Sequence, residues 1–199
     1  MQYSNLEQNS KDWHEHRKNY INASEVAAIM GLNPFESKKK IFKRKLFEEK
    51  VEENGAMRHG RRLEPEARKF FNETNKIQFK PMVFVKNFIS ASLDGWYENN
   101  RSVLEIKCPI TCNTQTWNNF FLHDKIPMFY YAQVQAQLYC SEGIKVFFFV
   151  YHTYQKAKVK EILRDDVFIE KMYYECNVFY NLLQKAKTIL NQLSIKQKV

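Results

Sequence analysis

The chain lacks any run close to the ~20 apolar residues that a membrane-spanning helix needs, and its start, Met1-Gln2-Tyr3-Ser4-Asn5, has neither the basic nor the apolar segment of a signal peptide. A cytoplasmic protein is expected. Cysteine is scarce: Cys108, Cys112, Cys140 and Cys176 are the four in 199 residues. Four thiols do not staple a chain of this size, and they read as free thiols of a reducing compartment. Cys108 and Cys112 lack a second Cys or His pair at zinc spacing, which argues against a zinc site. Repeats, low-complexity tracts and Gly/Ser linkers are also missing, so one domain over 1–199 is the economical reading, with the first ~10 and last ~5 residues as tails.

What is present is a basic, aromatic chain. Its 31 Lys and Arg outnumber 22 Asp and Glu, for a net charge of +9, and 44% apolar with 15% aromatic residues is enough to close one core and excludes disorder. The positive excess fits a polyanionic partner or an ordinary solvated basic face, and charge alone does not separate the two. The five histidines, His14, His16, His59, His123 and His152, show no ligand spacing. His152, inside an apolar run, reads as a satisfied core histidine.

The first third reads as helical. Ser24 is placed to cap a helix over Val26 to Met30 that Gly31 ends, Ser37 to cap a second helix reaching about Lys50, and Gly55 to break the pattern before a third helix over about Ala67 to Asn75. From Phe79 the texture changes to short β-branched and aromatic runs, Met82 to Val85, Phe88 to Tyr97 and Val103 to Cys108. A helix over Phe129 to Cys140 follows, then Ile144 to Tyr154, whose middle is apolar on both faces as in a central strand, with Ala157 to Leu163 beside it. Asp165 and Asp166 start a long closing helix whose seam is Phe168, Met172, Cys176, Phe179, Leu183, Ala186 and Leu190. The fold class is α/β: a mixed central sheet flanked by helices, with a long C-terminal helix.

The chemistry concentrates between Ser92 and Lys107. Asn99-Asn100 can take the positive φ of a two-residue hairpin turn, which puts Glu98 against Arg101 and Asp94 directly opposite Glu105, with Cβ atoms ~5 Å apart. Lys107 then shares the face of Glu105, while Leu104 and Ile106 point to the other. Opposed carboxylates need a compensating cation. A hard divalent ion with oxygen ligands meets that need, and so does a surface triad neutralised by Lys107; spacing leaves both open.

Several further blocks widen the reading: Trp13-His14-x-x-Arg17; Asn22-Ala23-Ser24-Glu25-Val26 through Asn33-Pro34-Phe35; Gly60-x-x-Leu63-Glu64-Pro65-Glu66-Ala67-Arg68; Leu93-Asp94-Gly95; Leu104-Glu105-Ile106-Lys107-Cys108-Pro109; and Tyr130-Tyr131-Ala132-Gln133-Val134-Gln135. With Asp94 and Glu105-x-Lys107 they resemble the PD-(D/E)XK nucleases, and in their order the phage lambda exonuclease and YqaJ-type viral recombinase branch. The resemblance implies a PD-(D/E)XK nuclease-like domain in which Asp94, Glu105 and the main-chain carbonyl of Ile106 bind metal, with Glu64 as a further ligand. It implies one or two Mg²⁺ ions, with Mn²⁺ able to substitute. Lys107 would orient or deprotonate the water, its pKa lowered by a nearby cation and partial burial, and Gln133 would position the lysine or the scissile phosphate.

By the same resemblance Arg17 and Ser24 hold the 5′-terminal phosphate. The chemistry agrees, since Arg offers phosphate a planar fork of donors and a helix start offers free N–H groups. Tyr130 and Gln137, on the helical face of Gln133, are candidate DNA contacts; Lys38, Lys39, Lys43 and Arg61, within the wider basic set that includes Arg44 and Lys45, fit phosphate contacts along a DNA channel and equally an ordinary solvated face. The implied activity is 5′→3′ degradation of one strand of linear double-stranded DNA by a homotrimer that works with a single-strand annealing protein. An endonuclease of the same superfamily and a catalytically dead DNA-end-binding module are the alternatives.

Overall fold

The computed structural model describes residues 2–4 and 6–196, and side chains from 6 to 193. Its framework is a seven-stranded mixed sheet. In chain order the elements are β1 (Gln2–Ser4), α1 (Lys11–Asn19), β2 (Ile21–Asn22), α2 (Ala23–Ile29), α3 (Lys38–Phe47), α4 (Gly55–Asn75), β3 (Lys80–Lys86), β4 (Ile89–Tyr97), β5 (Ser102–Lys107), α5 (Gln115–His123), α6 (Met128–Ser141), β6 (Lys145–Thr153), β7 (Lys156–Leu163) and α7 (Asp166–Lys196). The sheet runs β1-β3-β4-β5-β6-β7, with the short β2 added to β4. β5 and β6 are parallel, as are β2 and β4; the other pairs are antiparallel. A parallel pair needs a long crossover, and α5 and α6 supply it between β5 and β6.

β6 is the central strand that its apolar run requires: Val146, Phe148, Phe149, Val150 and Tyr151 are buried, and they divide between two cores. On one face Val103, Val146 and Phe148 pack with residues of α2, α6 and α7, including Ala28, Val134, Leu138, Met172 and Phe179. On the other face Leu104, Ile106 and Phe149 pack with Phe79 and with Ala67 and Phe71 of α4. The seam of α7 lies on the first core through Met172, Cys176, Phe179 and Leu183. All four cysteines are free. His152 is half-buried at the end of β6 and bonds the Pro109 carbonyl, so it is satisfied but sits at the core margin.

Several local expectations are corrected. Residues 2–4 and 6–10 are not a tail, because β1 pairs β3, Gln8 donates to the Leu93 carbonyl, and Ser10 caps α1 by accepting from Trp13 N–H. Residues 197–199 of the expected C-terminal tail lie outside the described residues. The cap of α2 lies two residues earlier than expected, with Asn22 as N-cap and the Glu25 carboxylate accepting the Asn22 N–H; Ser24 is inside the helix. Glu25 three positions after the cap is the signal that outweighs a serine. α4 begins at Gly55, capped by Asn54, and runs through Pro65. Losing one helical bond at Pro65 is outweighed by burying Ala67 and Phe71 against the sheet. α5, which periodicity did not isolate, is capped by Thr114 and anchored by Phe120.

Candidate active site

Two adjacent strands carry the candidate site, and their register is the expected one: Tyr97 pairs Ser102, Trp96 pairs Val103 and Gly95 pairs Leu104. The turn that sets it differs. Glu98–Asn100 form a 3₁₀ turn closed by the Arg101 N–H on the Glu98 carbonyl, and Arg101, not either Asn, has positive φ at 49°. A four-residue loop preserves the pairing that a two-residue turn would give.

At Asp94 the sheet opens. Between the pairs Lys80–Trp96 and Met82–Leu93, Asp94 and Gly95 oppose only Pro81, a bulge placed where proline has no N–H to offer. Toward β5 the ladder stops at Gly95–Leu104, and the Asp94 carboxylate takes the next donor itself, the Ile106 N–H, at 2.8 Å. Gly95 is required here, because a Cβ would stand 2.6 Å from Phe79 Cβ. The strand thus bends around Phe79 and delivers Asp94 to the end of β5.

Glu105 is 2% exposed and both its oxygens accept hydrogen bonds: Lys107 Nζ at 2.5 Å and Gln133 Nε2 at 2.7 Å share Oε1, and Gln137 Nε2 meets Oε2 at 2.5 Å. Both glutamines come from α6, where a spacing of four puts them side by side over β5. Gln133 therefore positions Glu105 and not the lysine. Gln137 is buried, so it is not a DNA contact; its position beside Gln133 on the helix was the signal for a shared target. Tyr130, one turn earlier and half-buried, lies under the Lys107 ammonium at 4.8 Å.

Charge in the cluster is unbalanced. Burial, then the carboxylates of Glu105 and Glu64, push Asp94 well above the usual carboxylate range, against the pull of Lys107 and the Ile106 N–H. Glu64 is likewise raised, by burial and Glu105, although Arg68 lies 2.7 Å from it on the same helix. Burial pulls Lys107 down, but Glu105, Tyr130 and Asp94 outweigh it and the net shift is upward. The expected lowering of Lys107 is thereby reversed: without a bound cation the ammonium is held charged by Glu105. Burial pushes the Cys108 thiol up to about 12, which leaves no thiolate nucleophile beside the cluster. Among the described residues no three His, Cys, Asp or Glu side chains form a ready metal cage. A cation here would draw on main-chain oxygen as well as Asp94 and Glu105.

Arg17 and Ser24 are brought together. Arg17 Nη2 donates to Ser24 Oγ at 3.1 Å, and the guanidinium lies 4.5 Å from the Trp13 ring centre. Trp13 Nε1 in turn donates to Ser92 Oγ at 2.8 Å, two residues before Asp94. This bridge between the two candidate sites joins Trp13 to β4 across 79 residues of sequence, and no spacing rule finds it. Lys45 is buried, paired with Glu25, and donates to the carbonyls of Arg17 and Tyr20. Arg44 pairs with Glu25 and Glu36. These two cations are structural. Lys38, Lys43 and Arg61 are exposed and pair with Glu175, Glu49 and Glu53, and Lys39 is exposed.

Residues 12–143 match the YqaJ-like viral recombinase domain, and the chain belongs to that family. It is 28% identical over 186 residues to the uncharacterized protein YqaJ of Bacillus subtilis (strain 168), covering 89% of this chain and 57% of that relative. The chain thus spans little more than half the length of the curated relative. Its fold is similar to that of an alkaline exonuclease from Laribacter hongkongensis, at TM-score 0.82 and 24% identity, covering 94% of this chain and all of the other. The structure of that exonuclease in complex with dAMP matches at TM-score 0.78. A phage-related exonuclease from Haemophilus somnus 129PT matches at TM-score 0.70 and 14% identity, over 87% of this chain and 96% of that one.

Proposed function

We propose that the chain is a deoxyribonuclease, a 5′→3′ exonuclease that degrades one strand of linear double-stranded DNA and leaves 3′ single-stranded tails for phage-type recombination. The observation that carries this reading is the joining of Asp94, Glu105 and Lys107 where β4 and β5 part, with the Arg17–Ser24 pair braced against β4 through Trp13.

Mg²⁺ is the cofactor in this reading, one or two ions, with Mn²⁺ able to substitute. The residues fit: every donor is a hard oxygen, and the raised Asp94 marks negative charge that its neighbours leave uncompensated. Asp94, Glu105 and the Ile106 carbonyl would hold the ion, with Glu64 adding charge from α4. When bound it supplies Lewis-acid polarisation of the phosphodiester and a more acidic water.

The chain's own groups do the rest. Gln133 and Gln137 fix both oxygens of Glu105, so its carboxylate does not rotate away when a phosphate enters. Lys107, held by Glu105, presents a charged donor that orients the attacking water. Arg17 and Ser24 bind the terminal 5′-phosphate at a distance set by the Trp13–Ser92 bond, which gives degradation its direction. Lys38, Lys39, Lys43 and Arg61 contact phosphates farther along the duplex, and the exposed edge of Tyr130 borders the strand at Lys107. The assembly is a homotrimer around the duplex, working in the cytoplasm with a single-strand annealing protein. No described helix is long and apolar enough to cross a membrane.

The test is incubation of purified protein and Mg²⁺ with linear and closed circular duplexes, each linear strand labelled separately. Loss of label from 5′-phosphorylated ends, with circles intact, is the expected result. Cleavage of circles would move the reading to an endonuclease, and no cleavage to an end-binding module.

A further inference from the structure

Phe35 stands in solvent with 77% of its surface exposed, and an Asx turn fixes it there: Asn33 Oδ1 accepts the Phe35 N–H at 2.8 Å. Its ring is the outer member of a connected set. Phe35 meets Phe129 edge to face with ring centres 5.6 Å apart, and Phe129 lies 4.4 Å from Tyr130. Tyr130 stacks on Trp117 at 5.8 Å and lies under the Lys107 ammonium. Three aromatic rings therefore run from open solvent to the lysine of the candidate site, with Trp117 stacked beside the last.

We infer that this shelf is a binding subsite for a nucleobase that has left its pairing partner, stacked on Phe35 beside the strand being cut; the inference rests on the nuclease reading. Glu105 is buried beneath α6, and Asp94 and Lys107 are only half-exposed. A strand drawn off its complement can bring a phosphate down to them. The base that leaves the duplex loses its stacking, and an aromatic ring held in solvent at the entrance replaces it. Every base has a π face, so such a subsite accepts all four, as degradation without sequence preference requires. Lys39, exposed at the start of α3 four residues beyond Phe35, has no ion-pair partner among the described residues and is free to meet a flanking phosphate.

Two 5′-phosphorylated duplexes separate base stacking from phosphate contact. One carries an unpaired terminal base and the other an abasic residue at the same place. Their affinities are compared by fluorescence anisotropy in EDTA, where nothing is cut. The unmutated protein should prefer the base-bearing duplex by roughly 5- to 100-fold, Phe35→Ala should bring the ratio to about 1, and Phe35→Trp should keep it. Phe35 is exposed, so Phe35→Ala should melt as the unmutated protein does. A preference in Phe35→Ala as large as that of the unmutated protein, or no preference in the unmutated protein, would overturn the subsite even where Mg²⁺-dependent hydrolysis of linear duplex is normal. Absent hydrolysis with the ratio intact and lost in Phe35→Ala would support the subsite and sink the nuclease reading alone.

Discussion

Glu25 and Asp94 are both desolvated carboxylates, with a lysine close by in each case, and they end in opposite electrical states. Around Glu25 the cations are in excess: Lys45 at 2.9 Å, Arg44 at 3.2 Å and Arg17 nearby, with the Asn22 N–H bonded to the carboxylate. Burial raises the Glu25 pKa, but Lys45 and Arg17 outweigh it and the net shift is downward. Around Asp94 the carboxylates are in excess, since Lys107 is paired with Glu105 and Arg68 with Glu64, and the net shift is strongly upward. The same residue types make a closed strut in one place and an open demand for positive charge in the other. The difference lies in which side chains the fold leaves unmatched, and it is a better guide to chemistry than the count of charges.

The largest effect should come from emptying the unmatched site. Asp94→Asn or Glu105→Gln should abolish Mg²⁺-dependent cleavage while duplex binding holds or improves, because a carboxylate that repels phosphate is gone. The sign for stability follows from the raised pKa. Asp94 in the folded state resists ionisation, so its contribution is most favourable at low pH and is lost as pH rises through its folded value. In EDTA, Asp94→Asn should therefore melt higher than the unmutated protein at neutral pH, with the gap narrowing toward pH 4. Thermal melts at both pH values check it, and a lower melting temperature for Asp94→Asn throughout would refute the charge imbalance.

The closed strut should behave in the opposite sense. Glu25→Gln leaves Lys45 buried without a counter-charge and should cost about 3–5 kcal/mol. Because the Glu25 pKa is depressed on folding, its stabilisation is complete above the ordinary carboxylate range and is lost as pH falls through the lower folded value. The unmutated protein should lose stability in acid faster than Glu25→Gln does, as urea titrations at pH 7 and pH 3.5 would measure.

Lys107→Ala sharpens the comparison further, since it removes the cation paired with Glu105 among the crowded carboxylates. The chemical step should slow by ~10²-fold or more. Single-turnover rates at saturating Mg²⁺ would separate this from weaker metal binding; a rate restored by added Mg²⁺ would mean that Lys107 only balances charge.

How much of this was legible depended on the range of the interaction. The strand register at Asp94 and Glu105 could be read because loop length and side-chain alternation are local, and the loop Glu98–Arg101 kept the pairing although its turn was of another type. The central β6 was legible from its doubly apolar run. Helical periodicity puts Gln137 on the face of Gln133 but does not tell what covers that face, and the residue is buried against Glu105. Lys45 looked like one more surface cation on α3, and its burial depends on Glu25 and two carbonyls some twenty to thirty residues away. The bulge at Asp94–Gly95 and the Trp13–Ser92 bond arise from pairings that no single segment specifies.

The smallest effects should fall on the link between the two regions. Arg17→Ala should remove most of the preference for 5′-phosphorylated over 5′-hydroxyl ends, roughly 10- to 100-fold in initiation rate, the worth of a hydrogen bond to a charged group. Trp13→Phe keeps a ring beneath Arg17 but deletes the N–H that ties it to Ser92, one neutral hydrogen bond of about 0.5–1.5 kcal/mol, so the preference should fall only ~2- to 10-fold. Ser92→Ala deletes the other partner and should do the same. If the bond sets the spacing between the phosphate pocket and the strand that carries Asp94, the double variant should lose no more than either single one. Turnover that has already been initiated, read from the rate of later nucleotides, should not change in any of the three. Additive losses, or an equal slowing of initiation on 5′-hydroxyl ends, would show that Trp13 serves only to pack α1 against the sheet.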